Sequence, residues 1–131
     1  MFKKAIIIGA FFGALSVVLG AFAAHGLKAI LPEDQIKIFE TGVRYQFYHA
    51  FALLITGLLY AHQPAKMYRI ATNLFTIGIL LFSGSLYLMT SLSVKGVGLG
   101  PIGIITPIGG LFFIAGWVCV MWGTVSYRAS L

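Results

Sequence analysis

Long uncharged apolar runs alternate with short polar segments along this chain, and the alternation predicts an all-α membrane protein. The runs that we expect to span a membrane cover residues 5–24, 45–62, 70–91 and 107–127. About 20 apolar residues in an α-helix are enough to cross the hydrocarbon core of a bilayer. The first run is longer than the apolar region of a signal peptide, so we expect it to be retained as a helix. No internal repeat or linker is visible, and the pattern predicts a single four-helix transmembrane domain over residues 1–131.

The polar connection between the first two runs predicts a short amphipathic helix at the membrane surface. After Pro32, apolar side chains recur at three- and four-residue spacing, at Ile36, Phe39, Val43 and Phe47. The polar side of the same helix carries Glu33, Lys37, Glu40 and Arg44. We expect this interfacial helix to lie along the membrane and then to turn inward, with a bend near Gly42.

The start of the last helix is open to two interpretations. Thr106 followed by Pro107 has the form of a helix N-cap with proline at the first helical position, which predicts a start at Pro107. A start near Ile102 with a kink at Pro107 is the alternative. The glycine-rich stretch 93–101 predicts a loop, and the segment 100–107 is either the end of that loop or a re-entrant segment.

Small residues recur on two of the predicted helices at spacings that let helices approach closely. They are Gly9, Gly13 and Gly20 on the first helix, and Gly109, Gly116 and Gly123 on the last. Helices associate in lipid through such strips, because small side chains bring two backbones together. We expect both strips to pack against a neighbouring helix, either in the same chain or in another one.

Composition supports the membrane assignment and excludes an ordinary soluble domain. Hydrophobic residues make up 60% of the 131 residues and charged residues only 9%, against about a quarter in soluble domains. The net charge of +6 comes from basic residues that stand singly between apolar runs. We therefore expect membrane lipids as partners, with a second copy or another membrane protein as further candidates, and no nucleic acid. The one cysteine, Cys119, lies in an apolar run and is expected to be a packing residue.

The distribution of basic residues predicts the orientation of the four spans. Both termini and the turn at Pro64 fall on one side, which carries Lys3, Lys4, Lys66, Arg69 and Arg128 and no acid. The other side carries four basic residues together with all three acids. Because positive charge is enriched on the cytoplasmic side of membrane proteins, we expect the termini to be cytoplasmic.

The stretch 40–49 is where charge, hydroxyl-bearing aromatic residues and a histidine run directly into an apolar segment. On a helix, Glu40 precedes Arg44 by four residues, which is the favourable order for an ion pair on one face. His25 closes the first helix, so we expect it to meet His49 across the hairpin near the membrane surface. The predicted polar cluster comprises His25, Glu40, Arg44, Tyr45, Tyr48 and His49.

Two kinds of role fit this cluster. The first is structural, because polar groups at a membrane interface need hydrogen-bond partners whatever else they do. The second is ligand binding: a metal held with Glu40 as third ligand, a haem between the histidines, or a lipid head group or small acid at Arg44. A zinc site needs three or four ligands in close array, and the histidines are too far apart in sequence to give a metal-binding spacing. We therefore expect no metal and no cofactor.

Signatures of catalysis and of coupled transport are absent from the sequence. The predicted spans hold no pair of acids, no nucleophile stands beside a base, and the glycines of 96–110 lack the lysine and serine of a phosphate-binding loop. Two classes of function remain open, and both are favoured over an enzyme. One is a non-enzymatic component that packs against itself, a partner protein or lipids. The other is a protein that binds or transports a small ligand, lipid or ion at the predicted cluster, with the segment 100–107 as a sign of a channel or carrier.

Four sequence motifs resemble, in order, those of the YgdD-like membrane proteins, a group classified as a domain of unknown function with distant eukaryotic relatives. They are Gly20-Ala-Phe-Ala-Ala-His-Gly-Leu27, Thr41-Gly-Val-Arg-Tyr-Gln-Phe-Tyr-His49, Phe82-Ser-Gly-Ser-Leu-Tyr87, and Thr106-Pro-Ile-Gly-Gly110 with Ala115-Gly-Trp117. One departure is Ala23, where that family often has glycine. The resemblance covers nearly the whole chain and implies a small bacterial inner-membrane protein with four helices. It implies no activity.

Overall fold

A computed structural model describes residues 2–96 and 102–127, and within them the chain is entirely helical, without a β-strand. The elements are α1 (Lys3–His25), a 3-10 turn (Leu27–Ala29), α2 (Glu33–His62), α3 (Lys66–Gly78), a π-helical turn (Ile79–Ser83), α4 (Gly84–Val94) and α5 (Ile102–Ser126). The all-α prediction is confirmed. Because the last three elements before α5 follow one another without a break, the described residues form four long helical segments.

α2 is one continuous helix, and this differs from the two segments that the sequence predicted. It begins after Pro32, whose extended backbone stands at the N-cap, with the acids Glu33 and Asp34 in the first turn. Acids are favoured there by the helix dipole. The helix then passes through Gly42 without interruption. The predicted surface helix is therefore the first third of a 30-residue helix, not an element of its own.

The third helical segment contains a π-helical turn that no sequence pattern indicated. The segment was expected at 70–91 and covers Lys66–Val94. The π turn lies within the helix at Ile79–Ser83, and such turns are rare and frequently occur at functional sites. Its residues are ordinary apolar ones ending in a serine, so their types do not distinguish it from an α-helix.

α5 begins at Ile102 and contains Pro107 in its first two turns. The expected N-cap at Thr106 is wrong, and the alternative start near Ile102 is right. Pro107 is the sixth residue of α5, so it removes the N–H that would bond to the Gly103 carbonyl, and the helix continues past it without that hydrogen bond. The segment 100–107 was considered as a re-entrant segment, and its residues 102–107 are α-helical. Residues 100 and 101 lie outside the described residues, and so do residues 97–99 of the predicted loop.

The helices pack in the order α1, α2, the α3–α4 segment, α5. α1 lies antiparallel to α2, with Gly9 against Leu53 and Gly57 against Ile6. The apolar core between the helices is made of Phe12, Ala50, Ala52, Leu53, Ala71, Phe75, Ile79 and Phe113. Cys119 is a free thiol that packs against this core. We call the end with Lys3, His62, Lys66 and Ser126 the terminal end, and the end with His25, Glu33, Val94 and Ile102 the hairpin end.

The two glycine strips differ in what they contact. Gly109, Gly116 and Gly123 all lie on the face of α5 that packs against the third segment, next to Phe82, Phe75 and Met67 respectively. A Cβ atom at any of them would come within 3.1 Å of that neighbour. On α1, a Cβ at Gly9 would lie 2.9 Å from the Ala50 carbonyl oxygen, one at Gly20 would make an ordinary 3.6 Å contact, and one at Gly13 would meet nothing within 4 Å.

Three described helical segments are long and apolar enough to span a membrane: Lys3–Ala29, Lys66–Val94 and Ile102–Ser126. α2 is long enough to span a membrane but is less apolar than these three segments, since its middle carries Gln46 and His49. The exposed surface of the other helices is made of large apolar side chains, including Ile7, Phe11 and Leu111. Such a surface is suited to lipid rather than to water.

The middles of the helices lie at one level. α1 is centred on Ala14, α2 on residues 47–48 and α5 on Ile114. Contacts join these centres: Gly9 against Leu53 and Gly20 against Val43 place Ala14 beside the centre of α2. At the same level, His49 of α2 stacks on Phe113 of α5. Whatever lies near residue 48 of α2 is therefore at mid-height of the molecule.

Candidate functional site

His49 is the centre of an aromatic cluster at mid-height. Its side chain is 4% exposed, and its ring lies parallel to that of Phe113, with 3.5 Å between centroids. Phe75 and Trp117 close the cluster, at 5.6 and 5.8 Å from the His49 ring. Helical spacing places these partners together, since Phe113 and Trp117 are four apart on α5 and present one face to α2. The imidazole therefore joins α2 to α3 and α5.

Both ring nitrogens of His49 have hydrogen-bond partners. The Trp117 indole Nε1–H lies 3.1 Å from His49 Nε2, and because indole nitrogen only donates, Nε2 must accept. His49 Nδ1 lies 2.7 Å from the Tyr45 carbonyl oxygen, which only accepts, so Nδ1 carries the proton. These partners assign the neutral Nδ1–H tautomer. In this arrangement neither nitrogen is free to bind a metal ion or a haem iron.

Gln46 forms a second buried connection one helical turn before His49. Its side chain is 1% exposed, and its amide Nε2 donates to the Phe12 carbonyl of α1 at 3.1 Å. The Tyr87 hydroxyl of α4 donates to Gln46 Oε1 at 2.8 Å. One glutamine side chain thus links three helices. Buried amides are stable in an apolar interior only when their donors and acceptors are paired in this way.

Two further bonds involve the motif Phe82–Tyr87. The Ser83 hydroxyl, fully buried, donates to the Gly42 carbonyl of α2 at 2.7 Å. Ser85 forms a hydrogen bond with the Thr106 hydroxyl of α5. Gly42 also allows close approach, because a Cβ there would lie 2.8 Å from the Tyr87 ring. The π-helical turn and the residues after it therefore contact α2 on one side and α5 on the other.

The six residues of the predicted cluster lie in different parts of the molecule. His25 is exposed at the hairpin end of α1. Since α1 and α2 are antiparallel with Gly13 near the level of His49, the two histidines are separated by about 18 Å along the helix axes at 1.5 Å per residue. His49 is buried at mid-height of the molecule, whereas the predicted cluster was expected near the end of the helices. Of the predicted partners, the structure places Tyr45 against His49, through the carbonyl that bonds to Nδ1 and through a ring stacked at 6.4 Å.

The remaining predicted residues lie on the outer side of α2. Arg44 is exposed and donates from Nη2 to the Thr41 hydroxyl at 3.3 Å. Tyr48 is 54% exposed, and its ring packs edge-on against that of Tyr45. Glu40 is half-buried. In the described part of the chain the ion pair is Lys37 with Glu33 at 3.8 Å, both exposed, and the expected pair between Glu40 and Arg44 is not formed.

The hairpin end carries a charged depression beside an apolar groove. The depression has a volume of about 430 Å³ and is lined by Lys28, Leu31, Glu33, Ile36, Lys37 and Glu40. The groove, of about 230 Å³, is lined by Phe22, Leu27, Ile30, Leu31, Phe39, Thr90, Ser91 and Val94. Leu31 lines both, so the depression and the groove are adjacent. Among the described residues there is no group of three or more His, Cys, Asp or Glu side chains placed to hold a metal ion.

The terminal end is closed by contacts of basic residues. Lys4 Nζ donates to Asn73 Oδ1 at 2.9 Å, and both side chains are exposed. The Arg69 guanidinium lies over the rings of Phe2 and Tyr60, 5.7 and 5.6 Å from their centroids. Cation–π contacts of this kind stabilise by roughly 0.5–2 kcal/mol. Basic side chains at this end therefore fix helices to one another as well as supplying charge.

Sequence reasoning missed the residues that complete the buried connections. Trp117, Ser83 and Tyr87 were named only as parts of the motifs that carried the family resemblance. A weaker signal existed in the polar face of α2: Gly42, Gln46 and His49 are four and three residues apart, so they share one helix face. All three are buried. Their partners are 34 to 68 residues away in sequence, which spacing alone does not reveal.

The model of a family described as a protein of unknown function, DUF423, matches residues 19–110. The chain is 40% identical over 127 residues to the UPF0382 membrane protein YwdK of Bacillus subtilis, covering 95% of this chain and 98% of that protein. It is also 40% identical over 129 residues to a UPF0382 membrane protein of Haemophilus influenzae, covering 98% and 99% respectively. A relative from Staphylococcus haemolyticus is 38% identical over 125 residues, covering 95% of this chain and 98% of the relative. No solved structure matches the chain.

These matches agree with the apolar helices in identifying a membrane protein of unknown function. The narrower YgdD-like grouping stays a prediction.

Proposed function

We propose that this chain, which belongs to the DUF423 family of proteins of unknown function, is a four-span inner-membrane protein that acts through contacts with lipids and membrane proteins, without catalysis. The observation that carries the proposal is the use of its buried polar groups. His49, Gln46, Ser83 and Tyr87 all bond to neighbouring helices of the same chain. These side chains are thereby used to hold the helices together.

The completeness of this bonding favours a structural interior over a ligand site or an ion path. Among the described residues, Gln35 Oε1 at the hairpin end is the buried side-chain polar atom without a partner. A binding site or relay needs donors or acceptors directed at a ligand or at water. Hydrogen bonds between membrane helices are worth about 0.6–2 kcal/mol each, so several of them together stabilise the packing of α2 substantially.

The same bonding supports α2 as the fourth span. Its polar residues Gln46 and His49 face other helices, whereas Phe51, Ile55 and Leu58 are exposed. Over the second half of α2, the surface exposed to lipid is therefore more apolar than the composition of the whole helix. α2 also packs along its length against α1, which is apolar enough to span.

The hairpin end offers a place for lipid head groups. Its depression carries both lysine and glutamate side chains, and the adjacent groove has the apolar lining that suits part of an acyl chain. Mixed charge suits a zwitterionic head group, because each sign has a partner. We expect lipid to be the molecule retained by the purified protein.

Native mass spectrometry of the protein in mild detergent tests this proposal. We expect the spectra to show the polypeptide with phospholipid adducts and no other bound molecule, and we expect Gln46→Leu to lower the melting temperature without changing the adducts. A stoichiometric non-lipid ligand that disappears in the His49→Asn or Gln46→Leu protein would contradict the proposal and favour the ligand-binding alternative.

Reporter fusions test the four-span topology and its orientation. We expect a fusion after Leu131 to report the cytoplasm and a fusion after Lys95 to report the opposite side, because three spans precede Lys95 and four precede Leu131. The same sidedness at both sites would contradict the four-span arrangement. Opposite sidedness with Leu131 outside would leave the spans in place and reverse the orientation.

A further inference from the structure

The outer face of α2 carries an arginine at a depth where the bilayer is apolar. Arg44 is three to four residues from the centre of the Glu33–His62 helix, so its Cα lies about 5 Å from mid-height at 1.5 Å per residue. Its guanidinium extends toward the hairpin end, since Nη2 bonds to Thr41 Oγ1. That places the charge roughly 10 Å from mid-height, still inside a hydrocarbon core that extends about 15 Å to each side.

Arg44 faces away from the rest of the chain. It is exposed, and among the described residues its one hydrogen-bond partner is the Thr41 hydroxyl, although a guanidinium has five N–H donors. A charged side chain that faces lipid within the hydrocarbon core is unfavourable. A surface that covers Arg44 and supplies acceptors would remove that cost.

The residues around Arg44 form a continuous stripe along α2. Thr41, Arg44, Tyr48, Phe51, Ile55 and Leu58 follow one another at alternating spacings of three and four. All of these except the half-buried Thr41 are exposed. Alternating three- and four-residue spacing is the geometry of a helix seam that packs against a second helix. The stripe is polar toward the hairpin end and apolar toward the terminal end.

We propose that this stripe is the interface with a second copy of the chain, in which two α2 helices pack side by side about a twofold axis along the membrane normal. The inference rests on the four-span arrangement proposed above. Such an axis places identical residues at the same depth on the two helices. Because the Arg44 guanidinium extends toward the hairpin end, it then lies near the level of Glu40 on the second copy.

Charge complementarity favours a second copy over other occupants. The half-buried Glu40 is one turn from Arg44 and forms no ion pair within the described residues. The face thus carries both an acid and a base, and a copy of itself supplies the opposite charge for each. The Thr41 and Tyr48 hydroxyls add further acceptors for the guanidinium. The apolar half of the stripe buries Phe51, Ile55 and Leu58 against the same residues of the other copy.

Disulfide cross-linking in native membranes tests the interface. In a Cys119→Ser background, Phe51→Cys and Ile55→Cys place single cysteines on the stripe. The matched controls are Val118→Cys and Met121→Cys on α5, which are similarly exposed and, from the alignment of helix centres, lie at the same depths. We expect oxidation to give a covalent dimer several-fold more efficiently at the α2 positions, because a disulfide requires Cβ atoms about 4 Å apart.

Charge exchange tests the polar half of the interface. We expect Arg44→Glu to reduce cross-linking at Ile55→Cys several-fold, because two acids would face two acids, and the double variant Glu40→Arg with Arg44→Glu to restore it. Equal cross-linking on α2 and α5, or no cross-linking on α2, would overturn the proposal. In the latter case a lipid phosphate or an unrelated protein covers Arg44. Labelling of Phe51→Cys by a membrane-impermeant maleimide would instead show that α2 does not span, which separates failure of the span from failure of the dimer.

Discussion

Replacing Gly109 with leucine should prevent the protein from reaching its folded state, whereas the same replacement at Gly13 should leave its thermal stability nearly unchanged. A Cβ atom at Gly109 would lie 2.8 Å from the Cα atom of Phe82 and closer still to its backbone nitrogen. Backbone atoms of the π-helical turn cannot swing aside as a side chain does. The whole α5 helix would have to move away from the third segment, which would break its other contacts.

The expected effect of Gly109→Leu exceeds the roughly 1–3 kcal/mol that extra methylene groups cost in an ordinary core. The measurement is thermal unfolding in detergent, together with the yield of monodisperse protein. Gly13→Leu is the matched control because a Cβ at Gly13 meets no atom within 4 Å. If Gly109→Leu melts within a few degrees of the wild-type protein, the packing of α5 described above is incorrect.

Intermediate substitutions should rank by what the new Cβ meets. Gly109→Ala meets backbone atoms of Phe82, Gly116→Ala meets the Phe75 ring at 2.6 Å, and Gly20→Ala makes an ordinary contact. We therefore expect the loss of stability to be largest for Gly109→Ala, smaller for Gly116→Ala, and negligible for Gly20→Ala. Phe75 is fully buried, so its ring has little room to yield and Gly116→Ala should still be measurable.

Replacing His49 with alanine should produce the second large loss of stability. The change removes an aromatic ring stacked on Phe113 and leaves a cavity between α2, α3 and α5. Truncating a large buried side chain costs about 3–5 kcal/mol. The Trp117 indole N–H would also lose its acceptor, which adds to the loss of stability. The measurement is equilibrium or thermal unfolding of the purified protein in one detergent.

Two variants separate the contributions of stacking and hydrogen bonding. His49→Phe keeps an aromatic ring against Phe113 but removes both hydrogen bonds, so we expect a loss smaller than that of His49→Ala. Tyr48→Ala is the neighbouring control, because Tyr48 is 54% exposed and should cost little in detergent. A His49→Ala protein as stable as Tyr48→Ala would contradict the structural role of the histidine. A double-mutant cycle of His49→Phe with Trp117→Phe measures their coupling directly.

The interior role of His49 also explains why the predicted cluster near the membrane surface did not form. The sequence interpretation placed the polar stretch 40–49 at an interface, because polar residues next to an apolar run usually mark the end of a span. It expected the residues of the cluster to find their hydrogen-bond partners there. The structure supplies protein partners for the inner face, and leaves Arg44 and Tyr48 on the outer face. Polarity alone does not distinguish a residue at a helix end from one bonded to another helix.

Composition and periodicity by themselves determined the all-helical fold, the apolar segments around α1, the third segment and α5, and the close-packing strip of Gly109, Gly116 and Gly123. Each of these depends on residues that are near one another in sequence: an apolar run long enough for a span, or small residues repeated on one helix face. Local spacing is sufficient for such features, because a helix repeats its geometry every few residues.

Only the tertiary structure decided the continuity of α2, the π-helical turn, and the fates of His49 and Gly13. The hydrogen bonds of Gln46 and His49 reach Phe12, Tyr87 and Trp117 across 34 to 68 residues, and their existence depends on how four helices are arranged in space. Gly9 and Gly13 are equivalent in sequence, yet one touches α2 and the other touches nothing. The physical reason is that a residue's face on a helix is fixed locally, whereas what occupies the space opposite that face is fixed by helices distant in the chain.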